Sequence, residues 1–231
     1  HSSTGYPFRP VKDWERSFAD AFPYAETADQ TQSIREVLDD MGKPEPMDRL
    51  LCGDVGYGKT EVAMRAAFRA VLNGRQVALL VPTTVLAQQH FLTFRQRMSE
   101  YPVVIEVISR FRTRGEQQRL LERLAEGHVD ILIGTHRLLQ ADVRFANLGL
   151  VIIDEEQRFG VRHKQRLKEL RASVDILTMT ATPIPRTLYF SLAGLRHLST
   201  IMTAPSERLP VTTVIAHYDR DLIRQVVMRE L

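Results

Sequence analysis

The chain has 231 residues, of which 44% are apolar and 26% are charged. This composition is typical of a globular domain and excludes a disordered chain, a fibre and a membrane bundle. The single cysteine, Cys52, excludes an intrachain disulfide framework, and no Cys/His cluster has the spacing of zinc ligands. The net charge of +3 favours an anionic partner only weakly. The use of a single cysteine favours a reducing compartment. No apolar run approaches the roughly 20 residues that cross a bilayer, so we expect a soluble protein.

The two ends of the chain differ from its middle. Residues 1–26 carry most of the early aromatic side chains among prolines and charges, without a steady period. We predict that they form a helical adornment, an N-terminal extension or linker packed on a domain that covers residues 27–231. Residues 219–231 have a helical pattern with no cap or stop signal, so we expect the chain to be part of a longer protein.

Short apolar runs alternate with longer segments of helical period through the middle of the chain. Runs without polar alternation are typical of strands that are covered on both faces, and the segments between them supply the crossovers of a parallel sheet. The sequence therefore predicts a doubly wound α/β sheet with helices on both faces. The predicted strands are 49–52, 76–81, 103–108, 130–133, 150–153, 176–179 and 211–216.

A glycine-rich segment follows the first predicted strand and fits the phosphate-loop pattern. Its glycines let backbone amides surround phosphate oxygens, and the helix that follows directs its positive end at them. Lys59 is expected to bridge the outer phosphates, and Thr60 to bind Mg²⁺ through its hydroxyl. The segment comprises Gly53, Asp54, Val55, Gly56, Tyr57, Gly58, Lys59 and Thr60.

Acidic side chains follow the predicted strand 150–153, at the sheet edge where ligands of parallel sheets bind. We expect Asp154 to hold the Mg²⁺ ion and Glu155 to orient and deprotonate an attacking water. Glu156 is interpreted as structural. The alternative is that these acids only satisfy the charge preference of a helix N-terminus.

Threonines follow the next predicted strand, in the segment TMTATPIPRT. Hydroxyl groups at Thr180 and Thr182 can hydrogen-bond the acidic pair and report the state of the nucleotide. The alternative is a capped turn before a helix that starts at Leu188. The basic stretch 158–171 can flank DNA, contact a neighbouring domain or form a solvated helix face.

Six ordered motifs resemble the first motor lobe of superfamily-2 DNA translocases, above all that of the bacterial transcription-repair coupling factors. They are GDVGYGKTEVAMRAAF, VPTTVLAQQH, SRFR, GTHRLL, DEEQRFGVRHK and TATPIPRT. The resemblance covers nearly all of the chain from Phe22 onward. It implies a RecA-like fold, an ATP-hydrolysing enzyme that uses ATP and Mg²⁺, and a cytoplasmic location in bacteria.

The resemblance also implies roles for single residues. Gln30 would touch the adenine base, and Gln157, where many relatives have His, would couple to Thr180. The residues implied to face double-stranded DNA are Thr83, Thr84, Arg110, Arg112, Thr135, His136 and Arg137. Each has a simpler alternative: the arginines can be surface charges and His136 a helix cap. None forms a base-reading pattern, so we expect binding that is sequence-tolerant and salt-sensitive.

The partners that the resemblance implies lie partly outside this chain. A second motor lobe of the same protein would complete the active site, so we expect the chain alone to bind nucleotide weakly and hydrolyse it negligibly. RNA polymerase and excision-repair proteins would bind through domains that this sequence does not contain, and no membrane is involved. Three alternatives stay open: a RecG-type fork-reversal helicase, a phosphate-loop kinase or small-molecule ATPase, and a nucleotide-gated binding module.

Overall fold

A computed structural model describes residues 5–109, 112–156, 159–160, 165, 167, 169–181, 196–206 and 215–230. Within these ranges the helices are α1 (Lys12–Asp20), α2 (Ala28–Met41), α3 (Lys59–Leu72), α4 (Thr84–Arg97), α5 (Arg114–Ala125) and α6 (Arg220–Glu230). The strands are β1 (Asp48–Gly53), β2 (Gln76–Leu80), β3 (Ile105–Ile108), β4 (Ile131–Gly134), β5 (Leu148–Asp154), β6 (Asp175–Thr180) and β7 (His197–Ile201). A short 3-10 helix covers His136–Leu139.

These seven strands form one parallel sheet in the order β3-β4-β2-β5-β6-β1-β7. Because the strands are parallel, their carboxyl ends meet at one edge. Strand β6 lies between β5 and β1, with Met179 opposite Asp154 and Thr180 opposite Cys52. The segments that follow β5 and β1 are therefore held about two strand spacings apart, roughly 10 Å.

Helices cover both faces of this sheet. On one face α1 to α4 pack large side chains such as Phe68 and Phe94 onto the strands. On the other face α5 packs Leu120 and Leu124 against strand residues that include Val151. This arrangement confirms the predicted doubly wound α/β fold. No helix among the described residues has both the length and the apolar character needed to cross a bilayer.

The N-terminal segment packs into the core beside α3. Phe8 and Phe18 are buried, and the ring of Phe18 stacks on that of Phe68 with centroids 4.3 Å apart. Burying each such side chain contributes about 1.5–3 kcal/mol. Arg69 of α3 donates to both carboxylate oxygens of Glu15 on α1, at 2.9 and 2.6 Å. The predicted helical adornment is present as α1, while the division of the chain at residue 26 stays a prediction.

One strand was missed and one prediction lies mostly outside the described residues. Strand β7 has the sequence HLSTI, in which only Ser199 and Ile201 are buried, so it lacks the continuous apolar run by which the other strands were found. It forms an edge of the sheet against β1. Of the predicted strand 211–216, residues 211–214 lie outside the described residues, and 215–216 belong to no helix or strand.

A buried carboxyl group opens strand β6. The backbone N–H of Met47 donates to Asp175 Oδ1 at 2.9 Å, whereas Asp175 Oδ2 is buried and has no hydrogen-bond partner among the described residues. Burial raises the pKa of Asp175 from 3.8 to about 7; the hydrogen bond from Met47 lowers it and the carboxylate of Asp40 raises it. The folded chain therefore binds a proton between about pH 4 and pH 7 that the unfolded chain releases.

We predict that Asp175 makes the chain less stable as the pH rises through this range. Between pH 5.5 and pH 7 the free energy of unfolding should fall by about 2 kcal/mol and then level off, because the folded state must give up its extra proton. In Asp175→Asn this fall should vanish. Urea unfolding at a series of pH values measures it, with the exposed Asp39→Asn as control. An unchanged pH profile in Asp175→Asn would assign the fall to another group.

Candidate functional site

The glycine-rich loop joins β1 to α3 at the carboxyl edge of the sheet. Gly56 and Gly58 have φ angles of +81° and +82°, in the region that only glycine adopts readily. Gly58 is also the N-cap of α3. The Nζ atom of Lys59 turns back into the loop and donates to the carbonyl oxygens of Gly53 at 2.6 Å and Asp54 at 2.9 Å. The backbone thus has the curled conformation that phosphate binding needs, with one cation inside it.

The acidic pair lies across from this lysine. Burial lowers the pKa of Lys59, while the negative charges of Asp154, Glu155 and Asp54 raise it. Both acids are therefore within electrostatic reach of the ammonium group. A cavity of about 760 Å³ joins the two sides. Its lining includes Asp54, Val55, Gly56, Gly58, Lys59, Thr60, Leu86, His90, Asp154, Glu155, Met179 and Ala181.

Glu155 has an unusual backbone conformation. Its φ angle is +57°, and among the described residues no other non-glycine residue has a positive φ. Such a conformation costs an L-residue about 1–2 kcal/mol. Two hydrogen bonds to the end of β6 hold it: Glu155 N donates to Met179 O at 2.9 Å, and Ala181 N donates to Glu155 Oε1 at 2.8 Å. The carboxylate is thereby fixed beside the cavity.

The residues present fit ATP with Mg²⁺. Thr60 and Asp154 supply a hydroxyl and a carboxylate oxygen to the same cavity, and oxygen ligands are those that Mg²⁺ prefers. The phosphate loop, to which Thr60 belongs, also supplies backbone N–H groups and Lys59, across the cavity from Asp154.

A second cavity of about 550 Å³ adjoins the first and shares Gly56, Gly58, Thr60 and His90 with it. Aromatic side chains of Phe22 and Tyr24 line it, as does Gln30. Gln30 forms a capping box with Thr27 and donates from Nε2 to Tyr57 O at 2.9 Å. Gln30 therefore lines the cavity beside the phosphate loop, and its contact with adenine stays a prediction.

Five residues that were predicted to face DNA line one cleft of about 470 Å³ at the same sheet edge. These five are Thr83, Thr84, Thr135, His136 and Arg137. The cleft is also lined by Pro82, Ser109 and Gln117. Thr83 is the N-cap of α4 and Thr135 precedes the 3-10 helix, so two helix N-termini open on the cleft. Arg137 is held by Asp142 through two hydrogen bonds of 2.7 and 2.6 Å.

Other predicted residues lie apart from these cavities or outside the described residues. Arg112 is paired with Glu106 at 2.7 Å and does not belong to the lining of the cleft. Thr180 is buried at the end of β6, next to the Ala181 amide that binds Glu155. Arg110, Gln157 and Thr182 lie outside the described residues.

An ion-pair network beneath the acidic pair was not predicted. Glu156, interpreted as structural, accepts from Arg171 at 2.7 Å and from Arg196 at 3.2 Å. Both arginines also bind Asp48 at the start of β1. In the sequence, only the basic stretch 158–171 indicated this network, through its last residue, Arg171. The interpretation of that stretch as a solvated helix face is wrong for Arg171. His90 is a second omission, since its Nε2 lies 3.1 Å from Asp154 Oδ2.

A parallel sheet with a phosphate loop after one strand and paired acids after another is typical of a phosphate-loop nucleotide-binding domain. The chain belongs to the DEAD/DEAH box helicase family, whose model matches residues 27–190. It is 57% identical over 230 residues to the transcription-repair-coupling factor of Bacillus subtilis and 58% identical over 227 residues to that of Escherichia coli. These matches cover 100% and 98% of the chain but only 20% of each relative.

A solved structure of RecG bound to a three-way DNA junction matches the chain with a TM-score of 0.84 and 36% identity. The match covers 98% of this chain and 31% of RecG. The chain thus spans about a fifth of the length of the curated relatives and about a third of RecG.

We predict that Gly58→Ala weakens ATP binding at least tenfold, because a Cβ at this position overlaps with Gln30 Nε2 and strains the loop. Gly74→Ala is the matched control, since Gly74 also has a positive φ of +68° but has open space around its Cβ position. Both variants should lose about 1–2 kcal/mol of stability through backbone strain, and Gly58→Ala should lose more. Fluorescence titration with a labelled ATP analogue and urea unfolding measure the two effects. Equal losses in both variants would contradict the role of the Gln30 contact.

Proposed function

We propose that the chain is the first motor lobe of an ATP-dependent double-stranded DNA translocase of the transcription-repair coupling kind. In its complete protein, found in the bacterial cytoplasm, it would displace stalled RNA polymerase and couple transcription to nucleotide excision repair. The observation that carries this proposal is the single cavity that joins the phosphate loop to Asp154 and Glu155. The identity of 57% to a transcription-repair-coupling factor supports the particular kind of motor.

The residues of the cavity have separate roles in ATP hydrolysis. The loop amides and Lys59 bind the phosphates. Thr60 and Asp154 hold Mg²⁺, which neutralises charge on the phosphate oxygens when it is bound. Glu155 orients a water molecule and takes up its proton, and its two hydrogen bonds to the end of β6 keep the carboxylate in one orientation.

The adjoining cleft suits the backbone of duplex DNA. Threonine hydroxyls, the N-termini of α4 and of the 3-10 helix, and Arg137 are groups that bind phosphates without reading bases. Such contacts are sequence-tolerant, as a motor that moves along DNA requires.

The active site of such a motor needs a second lobe. An arginine from that lobe stabilises charge on the transferred phosphoryl group and typically increases the rate by 10³–10⁵. We therefore infer that the 231-residue chain alone binds nucleotide weakly and hydrolyses it negligibly. A RecG-type fork-reversal motor is the second candidate, which the TM-score of 0.84 to RecG supports. The regions that flank the lobe in the complete protein distinguish the two.

We predict that duplex DNA stimulates ATP hydrolysis by the full-length protein and that Lys59→Ala and Glu155→Gln each reduce it at least a hundredfold. Lys59→Ala should also weaken ATP binding, because it removes a cation from the loop, whereas Glu155→Gln should bind ATP normally. A phosphate-release assay and nucleotide titrations measure these effects. Steady hydrolysis by the 231-residue chain, abolished by Lys59→Ala, would contradict the proposal that a second lobe is needed to complete the active site. Hydrolysis by the full-length protein that DNA does not stimulate would contradict the proposal that the protein is a DNA motor.

We predict opposite effects on DNA affinity from the two members of one ion pair. Arg137→Ala should weaken duplex binding and reduce the slope of log affinity against log salt by about 1, since one phosphate contact is lost. Asp142→Asn should strengthen binding, because it releases Arg137 from its carboxylate. Fluorescence anisotropy at several salt concentrations measures both, with the exposed Arg144→Ala as charge control. Weakening by both variants would assign the pair a structural role only.

A further inference from the structure

Helix α4 connects the nucleotide cavity to the cleft. Its N-cap Thr83 and first residue Thr84 line the cleft, while Leu86 and His90 line the nucleotide cavity. At 1.5 Å of rise per residue, Thr84 and His90 are about 9 Å apart along one helix. A displacement at His90 is therefore carried directly to the edge of the cleft.

Helix α4 contacts the acidic pair through a hydrogen bond between side chains. His90 Nε2 lies 3.1 Å from Asp154 Oδ2, and the two side chains are only 10% and 15% exposed. An ionised carboxylate only accepts hydrogen bonds, so His90 Nε2 is the donor. The ring of His90 packs edge-on against Phe94, with centroids 6.3 Å apart, which limits its rotation. The bond engages one of the two carboxylate oxygens of Asp154.

The far end of α4 is tied to the phosphate-loop helix. Arg97 donates to both carboxylate oxygens of Glu61 on α3, at 3.0 and 3.3 Å, and its guanidinium lies 3.9 Å from the centroid of the Phe18 ring. Glu61 follows Lys59 by two residues and is buried. Helix α4 is thus held against α3 at one end and bound to Asp154 by His90 in its middle.

We propose that His90 is a positioning residue that couples the nucleotide site to the cleft through its hydrogen bond to Asp154. When a ligand changes the position of Asp154, His90 moves α4 and with it the Thr83 and Thr84 side of the cleft. Reciprocally, DNA in the cleft fixes the orientation of the Asp154 carboxylate. The inference rests on the proposed function and assigns to His90 a role distinct from nucleotide binding itself.

The test measures the ratio of duplex DNA affinities with and without a non-hydrolysable ATP analogue and Mg²⁺, in the full-length protein. We expect at least a fivefold ratio in the unaltered protein, the lower end of typical allosteric couplings. In His90→Ala the ratio should fall to within about twofold of 1. His90→Gln should restore most of it, because its amide nitrogen reaches the position of Nε2. Gln88→Ala, an exposed neighbour on α4, should keep the original ratio.

Linkage adds a second measurement. The ratio of ATP-analogue affinities with and without DNA must change by the same factor in every variant. A variant whose loss is merely structural would weaken both affinities while keeping the ratio.

A measurement on the unaltered protein keeps the proposal falsifiable even if His90→Ala does not fold. Hydrogen exchange at the first turn of α4, residues 84–88, should slow or quicken when the ATP analogue binds. Unchanged exchange there, or an unchanged ratio in a folded His90→Ala, would overturn the inference and leave the motor proposal in place. An unaltered protein that does not bind duplex DNA would overturn both.

Discussion

The structure depends on the parallel alignment of β1, β6 and β5, which fixes the distance between a lysine and two carboxylates. Lys59 follows β1, Asp154 ends β5, and the single strand β6 between them provides the hydrogen bonds that orient Glu155. The lysine and the two carboxylates are thereby held on separate segments around one cavity. The proposed binding of phosphate and cation between them requires this spacing.

A set of buried arginines holds the phosphate-loop helix in place. Arg65 and Arg69 on α3 and Arg97 on α4 bind carboxylates of Glu26, Glu15 and Glu61 at 2.6 to 3.0 Å. The side chains of Glu26 and Glu15 are 26% and 19% exposed, so removing one partner costs less than the roughly 3–5 kcal/mol typical of a fully buried pair. The N-terminal segment supplies two of these three acids. It therefore fixes the orientation of α3, and so the loop before it, through charges as well as through Phe8 and Phe18.

The sequence predicted most of the fold because its strands are continuous apolar runs, a pattern that both faces of a covered sheet demand. Strand β7 was not predicted because, in a half-exposed edge strand, only Ser199 and Ile201 need to be buried. The phosphate loop was found because its backbone conformation requires glycines at fixed positions, and the acids were found because they directly follow a buried strand. His90, Arg171 and Arg196 were not predicted, since a side chain that reaches across from another element leaves no local pattern. The positive φ of Glu155 is likewise a product of the strand pairing and not of its own residue type.

Ion pairs within the lobe bear on the proposal that a chain with a modest net charge of +3 binds DNA in its cleft. Arg112 and Arg137, which the family resemblance implies to face DNA, are each paired with a carboxylate of the lobe, Glu106 and Asp142. Such partly exposed pairs contribute at most about 1 kcal/mol. An arginine that leaves its carboxylate for a phosphate therefore exchanges one weak pair for another, and the gain comes mainly from counterions released by the DNA. Contacts of this kind form and break at little cost, as the proposed movement along duplex DNA would require.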